Sequence, residues 1–448
     1  MNEGRPDIEA ILQDERARSQ PTRLPLLSAV EHTFTKTGEG RYRLALPDLQ
    51  ISLDVDRLRR ERNELIGEVT ACCGIPGAHT VDGKTLDTSD LNFSRSQARQ
   101  WYARFLASRA NTGKLEWLDI VQEFSMRVAN AERDGDQGHD LRTCKPVSEE
   151  ETTIGWEGFF LPHHHPSILF GDGGSLKSYL ALYVAGKLSE QGLNVGVFDW
   201  ELSGEDHWKR FNRLFPDGMP HVHYVNCTRP LQDERDRIHK IVEDQKIDYA
   251  VYDSIAFACT GPPEDADSAR IYFQCVRFIG CGSLHIAHVN KTQGGDQKPF
   301  GSAFWHNGAR STWFAKAPES SGSDEITVGL FNRKSNLGKL ANALSFRFTF
   351  EKERVTIRRA DVCASPELFK IMSVRQRMLS QLRSGQMTRA ALAEACEAEE
   401  DTVKRTANRS KDIFLVLPNG DIGLRYSPDK NGSDISGQEN GGLLDDQE

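Results

Sequence analysis

The stretch from Ile168 to Ser178 limits the fold more than any other part of this chain. Ile168, Leu169 and Phe170 predict a buried strand, a glycine-rich turn follows, and Lys177-Ser178 opens an amphipathic run from Tyr179 to Leu188. Strand, glycine loop and helix in that order are the setting a phosphate-binding loop requires. Glycines let the backbone wind closely around a polyphosphate, so that several N–H groups point at its oxygens. The start of the helix adds its positive end. On this reading Gly171, Asp172, Gly173, Gly174, Ser175, Leu176, Lys177, Ser178 and Tyr179 hold ATP. Lys177 reaches the β- and γ-phosphates and the Ser178 hydroxyl holds Mg²⁺. The loop departs from G-x-x-x-x-G-K-[ST] once: Leu176 stands where the second glycine is expected, which would narrow or tilt it.

Beyond the loop, strands and helices alternate. Val195–Asp199, His221–Asn226, Tyr249–Ile255 and Leu284–Val289 predict strands. Helices are expected over Glu205–Phe215, Asp233–Lys246, Asp265–Ile279 and, shorter, near Ser302–Arg310. Apolar strands spaced by helices predict a parallel sheet covered on both faces. Thr312–Phe314, Ile326–Asn332, Leu344–Phe350 and Val355–Arg358 predict further strands with hairpin connections that extend the sheet at one edge. The fold class is therefore α/β.

In such sheets ligands bind outside the carboxyl ends of the strands, and the polar residues fall there. Asp253, after the apolar run Tyr249-Ala250-Val251-Tyr252, is placed to join Ser178 around a metal ion. Asp199-Trp200-Glu201 closes another strand. Glu201 is expected to accept a proton from an attacking water or to orient it, with Asp199 as the competitor and helix capping as the structural alternative. His288, at the end of Leu284-His285-Ile286-Ala287, suits a sensor of the γ-phosphate; the alternative is a satisfied core histidine. The polar, glycine-rich loop that follows carries Lys291 and Lys298, which are expected to face a phosphodiester backbone.

Residues 155–358 resemble a RecA-like ATPase core of the RepA type, the plasmid hexameric-helicase branch. The segments that carry the likeness are Gly171–Ser178, Asp199–Glu201, Tyr252–Ser254, His288–Lys291, Gly301–Ala303 with Asn307–Arg310, and Phe331–Gly338. The resemblance implies that Arg333 and Lys334 reach the γ-phosphate of a neighbouring subunit, so that ATP hydrolysis depends on a homo-oligomer, ring or filament. It does not extend to residues 1–150.

The flanks read differently. Residues 1–40 look loosely ordered, with a short helix over Ile8–Arg18. Residues 41–150 are read as an accessory or assembly domain with a linker. Its strands lie around Tyr42–Leu46 and Leu49–Val55. Helices are expected over Leu58–Val69, from an N-cap at Ser94 to Ser108, and over Leu115–Arg133. His163-His164-His165 reads as a loop before a strand rather than a metal site, because three adjacent side chains cannot converge on one ion. The ATPase domain is set at 151–360.

Residues 367–426 predict helices over Arg375–Leu382, Thr388–Ala395 and Glu400–Lys411, then a hairpin, a pattern that resembles a winged helix. The third helix would enter the major groove of duplex DNA with Arg405 and Arg409 near bases or phosphates. From Phe369 to Tyr426 the module carries ten Lys/Arg against seven Asp/Glu, whereas Ser427–Glu448, expected to be disordered, carries one lysine and six acids. The net charge of −9 is thus concentrated in the tail and does not argue against DNA. Nine scattered cysteines without framework spacing fit reduced thiols in a cytoplasm, and no apolar run is long enough to span a membrane. The sequence reading is a DNA-acting oligomeric ATPase, helicase or remodelling motor. Its rival is a nucleotide-gated DNA-binding regulator or recombination mediator with little turnover.

Overall fold

Long apolar strands dictate most of the architecture. The computed structural model describes residues 30–113, 116–134, 138, 140–145, 152–289, 303–318 and 323–425. The chain divides into two compact units, Met1–Lys145 and Pro146–Glu448. The helix expected at Ile8–Arg18, the Lys291 and Lys298 loop and the acidic tail lie outside the described residues.

The first unit is a five-stranded antiparallel meander in the order β1 to β5: Thr33–Gly38, Arg41–Leu46, Ile51–Glu61, Glu64–Cys73 and Thr85–Asn92. Two helices, α1 (Ser96–Arg109) and α2 (Trp117–Asp134), complete it. Trp117, Ile120, Val121, Phe124 and Val128 of α2 are buried in its core at the spacing the sequence predicts.

Three expectations need correction here. Residues 33–38 form an edge strand, so order begins before residue 40. Leu58–Val69 is not a helix but the turn of a hairpin between β3 and β4. Burial along β4 alternates strictly, putting Leu65, Val69, Ala71 and Cys73 inside and charge outside, the period of a half-buried strand. Arg62 and Asn63 take positive φ (48° and 68°) at the turn, the backbone a tight hairpin demands. A bulge between Asp56 and Arg59 crowds the partner strand, and only glycine fits opposite it: a Cβ on Gly67 would lie 2.6 Å from Val55 and 2.8 Å from Leu58 side-chain atoms. Finally, the N-cap of α1 is Arg95, and the Ser94 hydroxyl instead accepts from Leu65 N at 2.9 Å, tying the helix entry to β4.

The second unit opens with a small hairpin, β6 (Thr153–Trp156) and β7 (Phe159–Pro162), then enters a nine-stranded sheet. In chain order its elements are β8 (Pro166–Gly171), α3 (Lys177–Glu190), β9 (Val195–Asp199), α4 (Gly204–Leu214), β10 (Val222–Asn226), α5 (Leu231–Asp244) and β11 (Tyr249–Asp253). There follow α6 (Ile255–Ala258), α7 (Ala266–Ile279), β12 (Gly282–His288), α8 (Ala303–Gly308), β13 (Ser311–Lys316), β14 (Glu325–Ser335), β15 (Leu344–Phe350) and β16 (Val355–Ala360). The spatial order is β10-β9-β11-β12-β8-β13-β14-β15-β16. The first six strands are parallel and the rest antiparallel. Every residue of β9 and β11 is buried, as strands covered on both faces must be. The expected α/β class, a mostly parallel sheet with antiparallel edge strands, is what the chain forms.

The core of the sheet continues past residue 360, where the sequence sets the end of this domain. Helix α9 (Pro366–Ile371) puts Leu368 and Phe369, with Met372 after it, into the same core as Ile168 and Phe314. The remaining module has its own core, in which Met378, Leu392, Val403, Phe414 and Ile422 pack together. It holds α10 (Val374–Gln381), α11 (Arg389–Ala395), α12 (Glu400–Arg409) and the hairpin of β17 (Phe414–Val416) with β18 (Ile422–Leu424). Thr388 caps α11 by accepting from Ala391 N, as its position in the sequence predicts.

Candidate functional site

Strand register brings the predicted residues to one end of the sheet. In the parallel ladders Asp253 pairs with Asp199 and His288 with Gly171, so the carboxyl ends of β9, β11, β12 and β8 lie side by side. Gly171 leaves β8 where only glycine fits, since a Cβ there would meet the Ala315 carbonyl oxygen at 2.2 Å and Ser175 Oγ at 2.8 Å. Gly174 turns with φ 78°, and Leu176 caps α3 in the left-handed region at φ 55°, ψ 24°. The loop thus keeps at Leu176 the backbone a glycine adopts freely, at a cost of about 1–2 kcal/mol for a side chain.

Lys177 is buried, and its Nζ donates to the carbonyl oxygens of Gly171 (3.0 Å) and Asp172 (2.8 Å) and to Ser175 Oγ (3.3 Å). Burial pushes the ammonium down to about 8, while Asp253, Asp172 and Glu201 act in the opposite sense. Asp172 itself is held by Lys316 of β13 at 3.1 Å. The loop thus holds one buried cation on its own carbonyl oxygens, a charge suited to a polyanion.

The carboxylates divide by environment. Asp199 is fully buried and committed to structure: it accepts from Leu202 N (2.7 Å), Glu201 N (3.4 Å) and Tyr224 Oη (3.4 Å), and His207 Nε2 lies 3.3 Å away. Asp253 is buried too, but its Oδ1 has no hydrogen-bond partner among the described residues. Burial first, then the nearby charges of Glu201 and Asp199, raise its carboxyl to about 6, while the Ser178 hydroxyl pulls the other way. An orphaned buried carboxylate oxygen beside a hydroxyl is an oxygen donor set that fits a hard divalent cation. Among the described residues no group of three or more His, Cys, Asp or Glu could hold a metal by itself, so such an ion would need oxygens from its ligand.

Glu201, on the exposed loop after β9, accepts a hydrogen bond from the buried Ser254 hydroxyl, whose peptide bond to Asp253 is cis. Ser254 is the residue the sequence reading passed over; its only signal was its place directly after Asp253. His288 is exposed at its strand end, and burial and the Lys177 charge lower its imidazole while Glu201 raises it. The core histidine on that strand is His285. It lies between Tyr272 Oη and Ser283 Oγ, each at 2.8 Å, and burial pushes it down to about 3.

Arg333 and Lys334 do not join this cluster. Lys334 pairs with Thr312, which pairs with Ile168, whereas Ala315 pairs with Gly171. Three residues of strand, roughly 10 Å, separate their level from the start of the loop, toward the amino end of β8. Lys334 Nζ donates to three carbonyls at the end of α8, those of His306 (2.8 Å), Asn307 (3.1 Å) and Ala309 (2.7 Å). The Arg333 guanidinium, on an exposed residue, lies over the Phe314 and Phe331 rings. Arg405 and Arg409 are both exposed on α12, and Arg405 Nε donates to Asp401 O.

No family model matches this sequence, and no curated protein matches it. Among solved structures the chain is similar to the KaiC-like protein PH0186 of the hyperthermophilic archaeon Pyrococcus horikoshii OT3, at 14% identity and TM-score 0.34 over 44% of this chain and 91% of that one. It is also similar to the ATPase domain of G40P, at 11% identity and TM-score 0.37 over 44% of this chain and 86% of that one. The chemistry of the site follows from its own residues. Among the described residues no helix is long and apolar enough to cross a membrane.

Proposed function

We propose that this chain binds ATP with Mg²⁺ in the loop Gly171–Tyr179 and hydrolyses it to drive movement on DNA as a homo-oligomer, in the manner of a RepA-like helicase or DNA-remodelling ATPase. The observation that carries the proposal is the unpartnered Asp253 Oδ1 buried beside Ser178 and Lys177 at the mouth of a glycine-rich loop. A structural carboxylate would be satisfied as Asp199 is.

The triphosphate would replace the loop carbonyls as the partner of Lys177, and the loop N–H groups would cradle it. Ser178 and Asp253 would hold Mg²⁺, which supplies charge neutralisation on the phosphate oxygens. Glu201, oriented by Ser254, would position the attacking water and accept its proton. His288, one strand from Gly171, would read the γ-phosphate. Arg333 would serve a neighbour's nucleotide; its level in the sheet, away from its own loop, supports a role in trans. Lys334, committed to the α8 carbonyls, would hold the fold around Arg333. Arg405 and Arg409 on α12 would contact duplex DNA through the winged-helix-like module.

A loop narrowed or tilted at Leu176 would suit the rival reading, a nucleotide-gated binder with little turnover. The left-handed backbone of Leu176 reproduces what glycine would give, which favours turnover. Steady-state ATP hydrolysis, with and without single-stranded DNA and at several protein concentrations, tests the proposal against Lys177→Ala. Turnover stimulated by DNA, rising faster than linearly with protein and lost in the variant, is expected. Tight ATP binding with no turnover under any condition would leave the nucleotide-gated binder.

A further inference from the structure

Helix α1 of the first unit has two unlike faces. Tyr102, Ala103 and Leu106 are buried against the core. The other face presents Trp101, 65% exposed, with its ring parallel to that of Phe105 one turn on (centroids 5.8 Å apart, planes 5° apart). One turn further, the Arg109 guanidinium lies 5.5 Å over the Phe105 ring. Arg104 is exposed beside them. The charge is as one-sided as the apolar surface: from Ser94 to Lys114 the chain has Arg95, Arg99, Arg104, Arg109 and Lys114 and no acidic residue, within a chain of net charge −9.

Some of that charge is used inside the unit. Arg95 pairs with Glu64, Arg99 donates to Phe93 O and Arg109 to Leu86 O. Arg104 remains the exposed cation of the face. A flat ring in water, extended by a second ring and flanked by cations, matches a partner that offers both π-faces and negative charge at short intervals. A single-stranded nucleic acid is such a partner: its bases stack on aromatic side chains while its phosphates meet arginine. A second copy of this face would set Arg104 against its own counterpart, and like charges brought together oppose association.

We infer that the outer face of α1, formed by Trp101 and Phe105 with Arg104 and Arg109, is a stacking platform for single-stranded nucleic acid. It is carried by the first unit and requires no nucleotide hydrolysis. The chemistry is shared by DNA and RNA, because every base has a π-face.

The test uses the full chain without ATP. Fluorescence anisotropy with labelled oligo(dT) and oligo(rU) compares wild type with Trp101→Ala, Trp101→Phe and Arg104→Glu. Trp101→Ala should weaken binding about 5- to 150-fold, the loss expected when one base loses its aromatic support. Trp101→Phe should recover most of it, and Arg104→Glu should flatten the salt dependence by about one phosphate contact, a slope of ~0.7. Equal loss on both oligomers supports a platform that reads bases generally; loss on one alone restricts it to that sugar and still supports it. Crosslinking through iodouracil should map to the peptide around Trp101. Unchanged affinity in both Trp101→Ala and Arg104→Glu, or crosslinks confined to other segments, would overturn the inference. So would a fall in oligomer size by sedimentation in Trp101→Ala with its binding intact, which would make the face a subunit contact.

Discussion

Replacing Asp253 by asparagine should make the ligand-free protein more stable and inactive at once. Its carboxyl is raised from 3.8 to about 6 by burial and by the charges of Glu201 and Asp199. A carboxyl raised in the fold keeps its proton longer there than in the unfolded chain. Folding therefore takes up a proton between the two values, and stability falls as pH rises across that window. Above about 6 the deficit is complete, and below 3.8 it is gone. It amounts to ~3 kcal/mol, at about 1.4 kcal/mol for each tenfold change in the proton equilibrium. The asparagine amide must find acceptors, and a donor left unmatched costs roughly 1–3 kcal/mol. A net gain of up to ~2 kcal/mol is expected well above pH 6, a rise in Tm of up to roughly 3 °C for the second unit at its size. The assay is thermal unfolding of both proteins across the acid range without nucleotide, repeated with ATP and Mg²⁺. Bound ligand stabilises only the protein that binds it, so the order should invert on addition. If the stability gap between the two proteins stays constant from above pH 6 toward 3.8, the carboxylate is not held against its own solvation and the site reading fails.

Glu201→Gln should lose about 10²–10⁴ in single-turnover hydrolysis with ATP binding retained, as for removal of a general base; Ser254→Ala, which only orients Glu201, should lose less. Arg333→Ala should lower kcat by ~10³ or more without weakening ATP binding, and mixing it with Lys177→Ala subunits should restore turnover, since each supplies what the other lacks. Lys334→Ala should instead lower thermal stability by ~1–3 kcal/mol through the carbonyls it leaves at the end of α8. Leu176→Gly should leave stability within ~1 kcal/mol by denaturant titration, because relief of the left-handed backbone offsets lost packing; a large fall would show that the leucine is a structural anchor.

The parallel part of the sheet was legible because its strands are buried on both faces. Val195–Asp199 and Tyr249–Asp253 are continuous apolar runs ending in a polar residue, a pattern that does not depend on distant partners. The hairpin of β3 and β4 was not legible. Its turn uses Arg62 and Asn63 at positive φ without a glycine, and its outward positions are so charged that half-buried strands imitate an amphipathic helix. That Leu368 and Phe369, beyond the expected boundary at residue 360, share a core with Ile168 two hundred residues earlier leaves no local trace.

The sequence by itself determined the glycine-rich loop between strand and helix, the α/β alternation and the polar residues at the strand ends, because all of these are set by neighbours along the chain. Only the tertiary structure decided which carboxylate is free to work. Asp199 and Asp253 close equivalent strands in the same register, yet one is surrounded by backbone N–H groups and a tyrosine while the other keeps an oxygen unpaired. The same holds for Lys334, a basic strand end in sequence that becomes a cap on three carbonyls, and for Leu176, whose backbone follows the loop rather than its own preference. Burial and hydrogen-bond supply are properties of the space around a side chain, and that space is assembled from segments far apart in the chain.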